Sequence, residues 1–304
     1  MNKEIDNSLA QCPTCYTKMQ KRGSRNGKQR YWCLNCGSWR SKPASIVNRT
    51  ARILLFDIET LPMVFLGWDL FRPVFSYKNI LEHGCTLSWA AKWLFDDQVY
   101  SDILTPKEAV AQNDERIVKS LWKLLDEADI IIGHNAAKFD VRKMNARFLY
   151  HGLPPPSVYQ IIDTKVAAKK VMYFPSNSQG YITSFLELQE KLETDFELWK
   201  RCRVGNKDAL KEMHTYNIQD IAGLEEMYVT LRPWIPNHPN LSVYMTTEEA
   251  HCPKCQSKML KFGGLYATPA NLYRSFRCDN CGTIGRSSNS VLTTAKRKNT
   301  VRVY

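Results

Sequence analysis

Four C-x-x-C pairs, two near each end of the chain, limit its fold more than any other feature. They are Cys12/Cys15 and Cys33/Cys36 at one end, and Cys252/Cys255 and Cys278/Cys281 at the other. Spacers of 17 and 22 residues separate the two pairs at each end. Two residues between cysteines let one tight turn aim both sulfurs at a single metal, and two such turns complete a tetrahedron. Each end is therefore predicted to fold around one structural zinc ion. Disulfides are the alternative and fit poorly. The opening residues MNKEIDNSLA hold no apolar signal core, and a reducing compartment keeps thiols free. Cys85 and Cys202, set among apolar or aromatic neighbours, read as buried thiols.

The two ends also repeat each other. CPTCYTKMQKRG at Cys12 and CPKCQSKMLKFG at Cys252 share the pattern C-P-x-C-x-x-K-M-x-K-x-G. RYWCLNCGSWR likewise matches SFRCDNCGTIGR, so one module occurs twice. Residues 1–52 and 251–304 each carry a net charge of +9, whereas residues 53–250 carry −6. Basic ends predict a polyanionic partner, most simply nucleic acid. Lys18, Lys21, Arg22, Arg25, Lys28 and Arg30 surround Tyr31, Trp32 and Trp39 in the first copy, and Lys258, Lys261, Arg274 and Arg277 occupy the second. Charge that tracks phosphates beside flat rings that stack on bases is the composition of a single-strand binder. The first copy, with GKQRYWCLNCG, resembles the zinc ribbons at the start of many transposase-type DNA-binding proteins. A zinc-folded mini-domain that packs on the centre or on a partner protein is the other reading.

Of the 304 residues, 44% are hydrophobic and 24% charged, enough apolar material for a core and against wholesale disorder. The most apolar runs, ILLF and IIIGH, are far shorter than the ~18 residues of a membrane span. A cytoplasmic protein is expected, of a bacterium or a phage-infected host.

Between the ends the pattern mixes strands and helices. ARILLFDIET is a β-rich run ending in acids; TLSWAAKWLF and QVYSDIL predict two further strands, with a turn at Asp96 and Asp97. ERIVKSLWKLLDEA has helical periodicity, and ADIIIGHN is a buried-type strand stopping at Gly133-His134-Asn135. FDVRKMNARFLYHG predicts a helix closed by Gly152 and three prolines, VYQIIDT a strand, and Lys165 to Leu231 mostly helix broken at Pro175 and Gly205. This order predicts one α/β domain with a mixed sheet. SKPASIVNRT and IPNHPNLSVYMTTEEA read as linkers. The expected organisation is a zinc ribbon over 1–48, the α/β domain over 51–235, a second ribbon over 250–290 and a basic tail over 291–304.

The acids at element ends carry the chemistry. Asp57 and Glu59 lie two apart on a strand and leave the same face. Asp140 opens the helix after IIGHNAAKF, and Asp220 follows Tyr216 by one helical turn, so both can reach one site. Four converging carboxylates repel unless cations hold them, and hard oxygen ligands suit magnesium or manganese. D-x-E alone is a weak signal, since strand-end acids usually serve turns or caps. The ordered set D-x-E, N-x-x-x-F-D, Y-x-x-x-D is far more specific.

On these motifs the chain resembles the DnaQ-like 3′→5′ exonucleases of the ribonuclease-H-like fold, in the tyrosine-bearing DEDDy branch. FDIET, HNAAKFD and YNIQD match the three family motifs. The wider run GHNAAKFDVRKMNARFLYHGLPPPS resembles exonucleases common in phage and bacterial genomes, and the resemblance covers roughly 51–235. It implies a ribonuclease-H-like mixed sheet flanked by helices, and phosphodiester hydrolysis with two magnesium or manganese ions held by Asp57, Glu59, Asp140 and Asp220. Asp57 would bridge the ions, Tyr216 would orient the attacking water, and Asn135 would contact nucleic acid. Asp163 is expected to support the sheet, and His134 to shape the turn before Asp140. The aromatic stretch MVFLGWDLFRPVFSY reads either as pocket lining or as core. DNA is favoured as substrate, with single-stranded or frayed 3′ ends. An RNA exonuclease or a structure-specific endonuclease on the same fold is the alternative, and a non-catalytic zinc-dependent nucleic-acid-binding factor is a second. A replication or repair protein as partner, and the oligomeric state, are left open.

Overall fold

The computed structural model describes residues 19–25, 28–35, 38–40, 50–68, 76–188, 194–247 and 249–301. It divides into two compact units, residues 1–50 with 243–249, and residues 51–242 with 250–304. In the first, strands β1 (Gln20–Arg25), β2 (Lys28–Cys33) and β3 (Ser38–Arg40) form an antiparallel sheet in that order. Met19, Tyr31 and Cys33 are its buried residues among those described.

The second unit opens with β4 (Ile53–Thr60), the hairpin strands β5 (Val64–Phe65) and β6 (Ile80–Glu82), then β7 (Thr86–Trp93) and β8 (Val99–Ile103). Helices α1 (Pro106–Ala111) and α2 (Glu115–Glu127) follow, then β9 (Ile130–Gly133), α3 (Asp140–Tyr150), β10 (Gln160–Asp163) and α4 (Thr164–Val171). Helices α5 (Gln179–Phe185), α6 (Phe196–Arg203) and α7 (Lys207–Leu231) complete the domain. Strands β11 (Leu260–Thr268), β12 (Asn271–Cys278) and β13 (Ile284–Ser290) and helix α8 (Thr294–Lys298) form the C-terminal part.

The main sheet has the order β10-β9-β4-β7-β8 and is flanked by helices. β10, β9 and β4 run parallel, β7 is antiparallel to β4, and β8, antiparallel to β7, runs in the direction of β4 again. Side chains alternate across a strand, yet Ile53 to Phe56 are all buried, so both faces of β4 are covered. Leu54, Phe56 and Ile58 join one cluster with Leu121 of α2, Met144 of α3 and Met213 of α7. Burial of one such side chain stabilises by roughly 1.5–3 kcal/mol, which holds β4 at the centre of the sheet. The predicted strands and helices of this region are all present. The structure adds α1, started by a Thr105–Glu108 capping box, and the β5–β6 hairpin, whose few residues carry no usable period. Thr294–Lys298 of the basic tail is helical, capped by Thr293.

Part of the segment after the domain, which the sequence marks as linker, is packed. Leu241 is buried, and its N–H donates to the Pro253 carbonyl at 2.7 Å. Lys254 Nζ donates to the Pro233 carbonyl (2.7 Å) and Gln256 Nε2 to the Leu241 carbonyl (3.0 Å), so the C-terminal module docks beyond the end of α7. Beneath it the Tyr228 hydroxyl lies 2.8 Å from His238 Nε2, and His238 Nδ1 is 2.7 Å from the Pro239 carbonyl.

One buried ion cluster ties helix to sheet. The Asp114 carboxylate accepts from Thr86 N (2.8 Å), from Arg147 Nε (2.8 Å) and Nη2 (2.5 Å), and lies 2.7 Å from His151 Nε2. Burial raises its pKa, and these donors outweigh burial, so the net shift is downward. Asp114→Asn strands the Arg147 charge and is expected to cost about 3 kcal/mol, measured by chemical denaturation.

Burial also drives the His238 pKa down to about 4, below the 6.5 of a free imidazole. Between those values the unfolded chain takes up a proton that the folded one refuses. Stability is thus expected to fall as pH drops from about 6.5 towards 4. His238→Gln is expected to flatten that part of the pH dependence in thermal melts.

Candidate active site

The sheet brings three distant acids together. Asp57 and Glu59 leave the C-terminal end of β4, and Asp220 projects from the middle of α7. One carboxylate oxygen of each lies within 4.8 Å of the others. Three carboxylates this close oppose one another's ionisation, and divalent cations relieve that repulsion. All the donors are hard oxygens, so the group fits magnesium or manganese.

Sequence reasoning missed the residue that orients this group. Asn217, fully buried on α7, donates from Nδ2 to Asp57 Oδ2 at 2.8 Å and accepts from Ser88 Oγ on β7 at 3.0 Å. The available signal was its spacing three before Asp220, on the same helix face. Gln179 of α5 adds a bond from Nε2 to the Asp220 carbonyl, at 2.8 Å. Tyr216, one turn before Asp220, is only 5% exposed and packs edge-on against Trp199.

Asp140 is not a member of the close group of three. It opens α3, and its Oδ1 accepts from the Ile58 N–H at 3.3 Å, between the two acids of β4. Burial, with the charge of Asp163 adding to it, pushes its pKa up to about 6. Asp163 itself is fully engaged with backbone. It accepts from the N–H groups of Asn135, Ala137 and Val166, each at 3.1 Å, so it caps α4 and fixes the turn before α3. Two contacts hold His134 in that turn, to Thr164 Oγ1 (3.0 Å) and the Asn177 carbonyl (2.9 Å). Asn135 takes a left-handed φ of 71°, which asparagine tolerates better than most residues. Gly133 is required just before it, because a Cβ there would lie 2.5 Å from the Ala136 Cβ.

A cleft of about 230 Å³ is lined among others by Thr60, Leu61, His83, Lys143 and Tyr150; none of the four acids lines it.

The C-terminal cysteines converge as well. Sγ atoms of Cys252 and Cys281 are 3.6 Å apart, as are those of Cys255 and Cys278, and all four form one cluster. A tetrahedron with ~2.3 Å zinc–sulfur bonds sets its sulfurs about 3.8 Å apart, so the four residues fit zinc. Gln256 and Gly282, each just after a C-x-x-C pair, adopt left-handed φ values of 60° and 77°, which closes the two turns. Of the N-terminal set only Cys33 is described; it is buried at the end of β2. Cys12, Cys15, Cys36 and Lys18 lie outside the described residues, as do the side chains of Lys21, Arg25 and Lys28. Arg22 is exposed and bonded to Gln20 Oε1, and Arg30 and Trp32 are half-buried. Lys258, Lys261, Arg274 and Arg277 are exposed, and Lys261 pairs with Asp279 at 2.9 Å.

Asn217→Ala is expected to weaken Mn²⁺ binding about tenfold, the worth of a hydrogen bond to a charged group. Titration of the zinc-loaded chain followed by manganese resonance would measure this, with Asp57→Ala as the reference for full loss.

Residues 93–232 match the sequence model of the family described as the RNase_H superfamily, which takes in Asp140, Tyr216, Asn217 and Asp220 and begins after β4. No curated protein matches the sequence. Among solved structures, the chain is similar to the family B DNA polymerase from the hyperthermophilic archaeon Pyrobaculum calidifontis. Identity is 14% and the TM-score 0.45, over 71% of this chain and 29% of the polymerase, so the likeness spans under a third of that polymerase. With its five-stranded mixed sheet, its flanking helices and this match over residues 93–232, the central domain is RNase H-like in fold.

Proposed function

We propose that the protein is a divalent-metal-dependent 3′→5′ exonuclease of the tyrosine-bearing DnaQ-like type, acting on single-stranded or frayed 3′ ends of DNA. The observation that carries this reading is the convergence of Asp57, Glu59 and Asp220 within 4.8 Å at the end of the central strand. Bound divalent cations would lower the pKa of a coordinated water and stabilise charge on the scissile phosphate. Asp57, Glu59 and Asp220 supply the oxygen ligands, and Asp140 stands beside them to complete the set. Asn217 fixes the Asp57 carboxylate by taking one of its oxygens as acceptor. The Tyr216 hydroxyl orients the attacking water. The cleft lined by Thr60 and Leu61 seats the terminal nucleotide, and Lys143, also in its lining, meets phosphate.

The charge distribution supports the same reading. A centre of charge −6 repels a polyanion from its own acids, and ends of +9 draw the strand in. Zinc held by Cys252, Cys255, Cys278 and Cys281 folds the C-terminal ribbon, and the duplicated N-terminal module takes a second zinc through Cys12, Cys15, Cys33 and Cys36. Together the ribbons raise the effective concentration of the strand near the acids.

A time course on 5′-labelled single and double strands with magnesium tests the activity. A ladder that shortens with time is expected. A single internal product would instead mean an endonuclease, and equal loss of matched RNA would widen the substrate. Asp57→Ala is expected to abolish cleavage while binding and zinc content stay unchanged; undiminished cutting would refute the site.

A further inference from the structure

We infer that one face of the C-terminal three-stranded sheet is a base-stacking platform for single-stranded nucleic acid, built on Tyr266, Tyr273 and Arg286. The inference rests on the nucleic-acid reading above and adds to it the residues that do the holding and the chemistry they use.

Strand register creates the face. Tyr266 of β11 stands directly opposite Tyr273 of β12. Side chains alternate along a strand, so Tyr273, Ser275 and Arg277 of β12 share one side of the sheet. On β13 the partner of Ser275 is Arg286, which places the guanidinium beside the two rings. Its Cζ lies 3.8 Å from the Tyr273 ring centre and 5.9 Å from that of Tyr266. Lys261 pairs with Arg277 further along the same face. Four residues of β-strand span about 13 Å, so rings and cations are separated by roughly the reach of two or three nucleotides.

Tyr273 is half-buried beneath Arg286, and the other ring and the cations of the face are open to solvent. Tyr266 is 51% exposed, and Arg286, Arg277 and Lys261 are exposed too. On the opposite side of the sheet Phe276 is buried and meets the half-exposed Phe262 with ring centres 5.8 Å apart, with no cation placed over either ring among the described contacts. Large rings left in water cost free energy that folding would normally recover by burial. A guanidinium seated over a tyrosine ring is itself a planar cation, and such a group can stack on a base as an aromatic ring does. Residues 251–304 contain ten Lys and Arg against one acid, so the complementary ligand is a polyanion with flat, unpaired bases. Duplex DNA offers the charge without exposed base faces. An acidic protein surface offers the charge without the flat rings.

Fluorescence anisotropy of a labelled oligothymidylate tests the proposal on the full, zinc-loaded chain, with calcium in place of magnesium to prevent turnover. The double variant Tyr266→Ala/Tyr273→Ala is expected to weaken binding at least tenfold with its salt dependence unchanged, since stacking carries no counterion release. Tyr266→Phe/Tyr273→Phe is expected to bind like the parent. Arg286→Ala should lower both the affinity and, by about one, the slope of log affinity against log salt. Zinc stoichiometry and the melting temperature report whether each variant folds. Unchanged oligonucleotide affinity in folded Tyr→Ala protein overturns the platform while the exonuclease reading stands. Equal loss in the alanine and phenylalanine doubles also overturns it, because hydrogen bonding by the hydroxyls would then be the cause. If the parent chain binds no oligonucleotide but Asp57-dependent hydrolysis of a dinucleotide persists, the platform fails alone. If both binding and hydrolysis are missing, the underlying reading fails with it.

Discussion

Burial of Ile53, Leu54, Leu55 and Phe56 is the constraint on which the site depends. These four residues lock β4 in the middle of the sheet, and the next residues of the same strand are the acids. Two carboxylates less than 4.8 Å apart repel by about 3 kcal/mol at an effective dielectric near 20. The burial of one or two apolar side chains is of that size, so the strand can hold its charges where a loop would let them drift apart. Helix α7 answers from across the sheet. Its buried face presents Asp220 as the third acid and Asn217 as a donor to Asp57, so repulsion and its partial relief come from one helix.

Much of this was legible in the sequence, for identifiable reasons. A run such as IIIG in β9 is uniformly apolar because both faces are covered, and D-x-E at the end of ILLF marks where the strand leaves the core. Tyr216 and Asp220 show their shared helix face by spacing alone. The unreadable parts depend on contacts distant in sequence. Asn217 looks like any helical asparagine until Asp57, 160 residues away, is placed beside it. The direction of the Asp140 carboxylate depends on the Ile58 N–H, which no spacing rule encodes. Likewise Leu241 sits in a Pro- and Asn-rich stretch that reads as a tether, and its burial goes with its bond to Pro253 of the docked C-terminal module.

The duplication seen in sequence extends to backbone detail. Both small sheets run first-second-third in antiparallel order, and in each the second strand ends on a cysteine, Cys33 or Cys278. Both first strands slip register within one residue of the equivalent place, between Lys21 and Ser24 and between Phe262 and Leu265. Each slip contains a repeated glycine, Gly23 or Gly263, as expected of a β-bulge. The copies differ in the length of the first hairpin: Arg25 pairs with Lys28 in one, whereas the other continues to Thr268 and Asn271. That extension carries Tyr266, and its partner Tyr273 stands at the position of Lys28 in the first copy.

Helix α7 has one more consequence. Asp220 sits midway along it, and Tyr228 near its end bonds His238 beneath the docked module, whose Lys254 grips the Pro233 carbonyl just beyond. Twelve residues of helix from Asp220 to Leu231 make a rod about 18 Å long with little axial give. The acid cluster and the seat of the C-terminal module are therefore joined by one continuous helix, so a shift of the module along that axis and a shift of Asp220 are the same displacement.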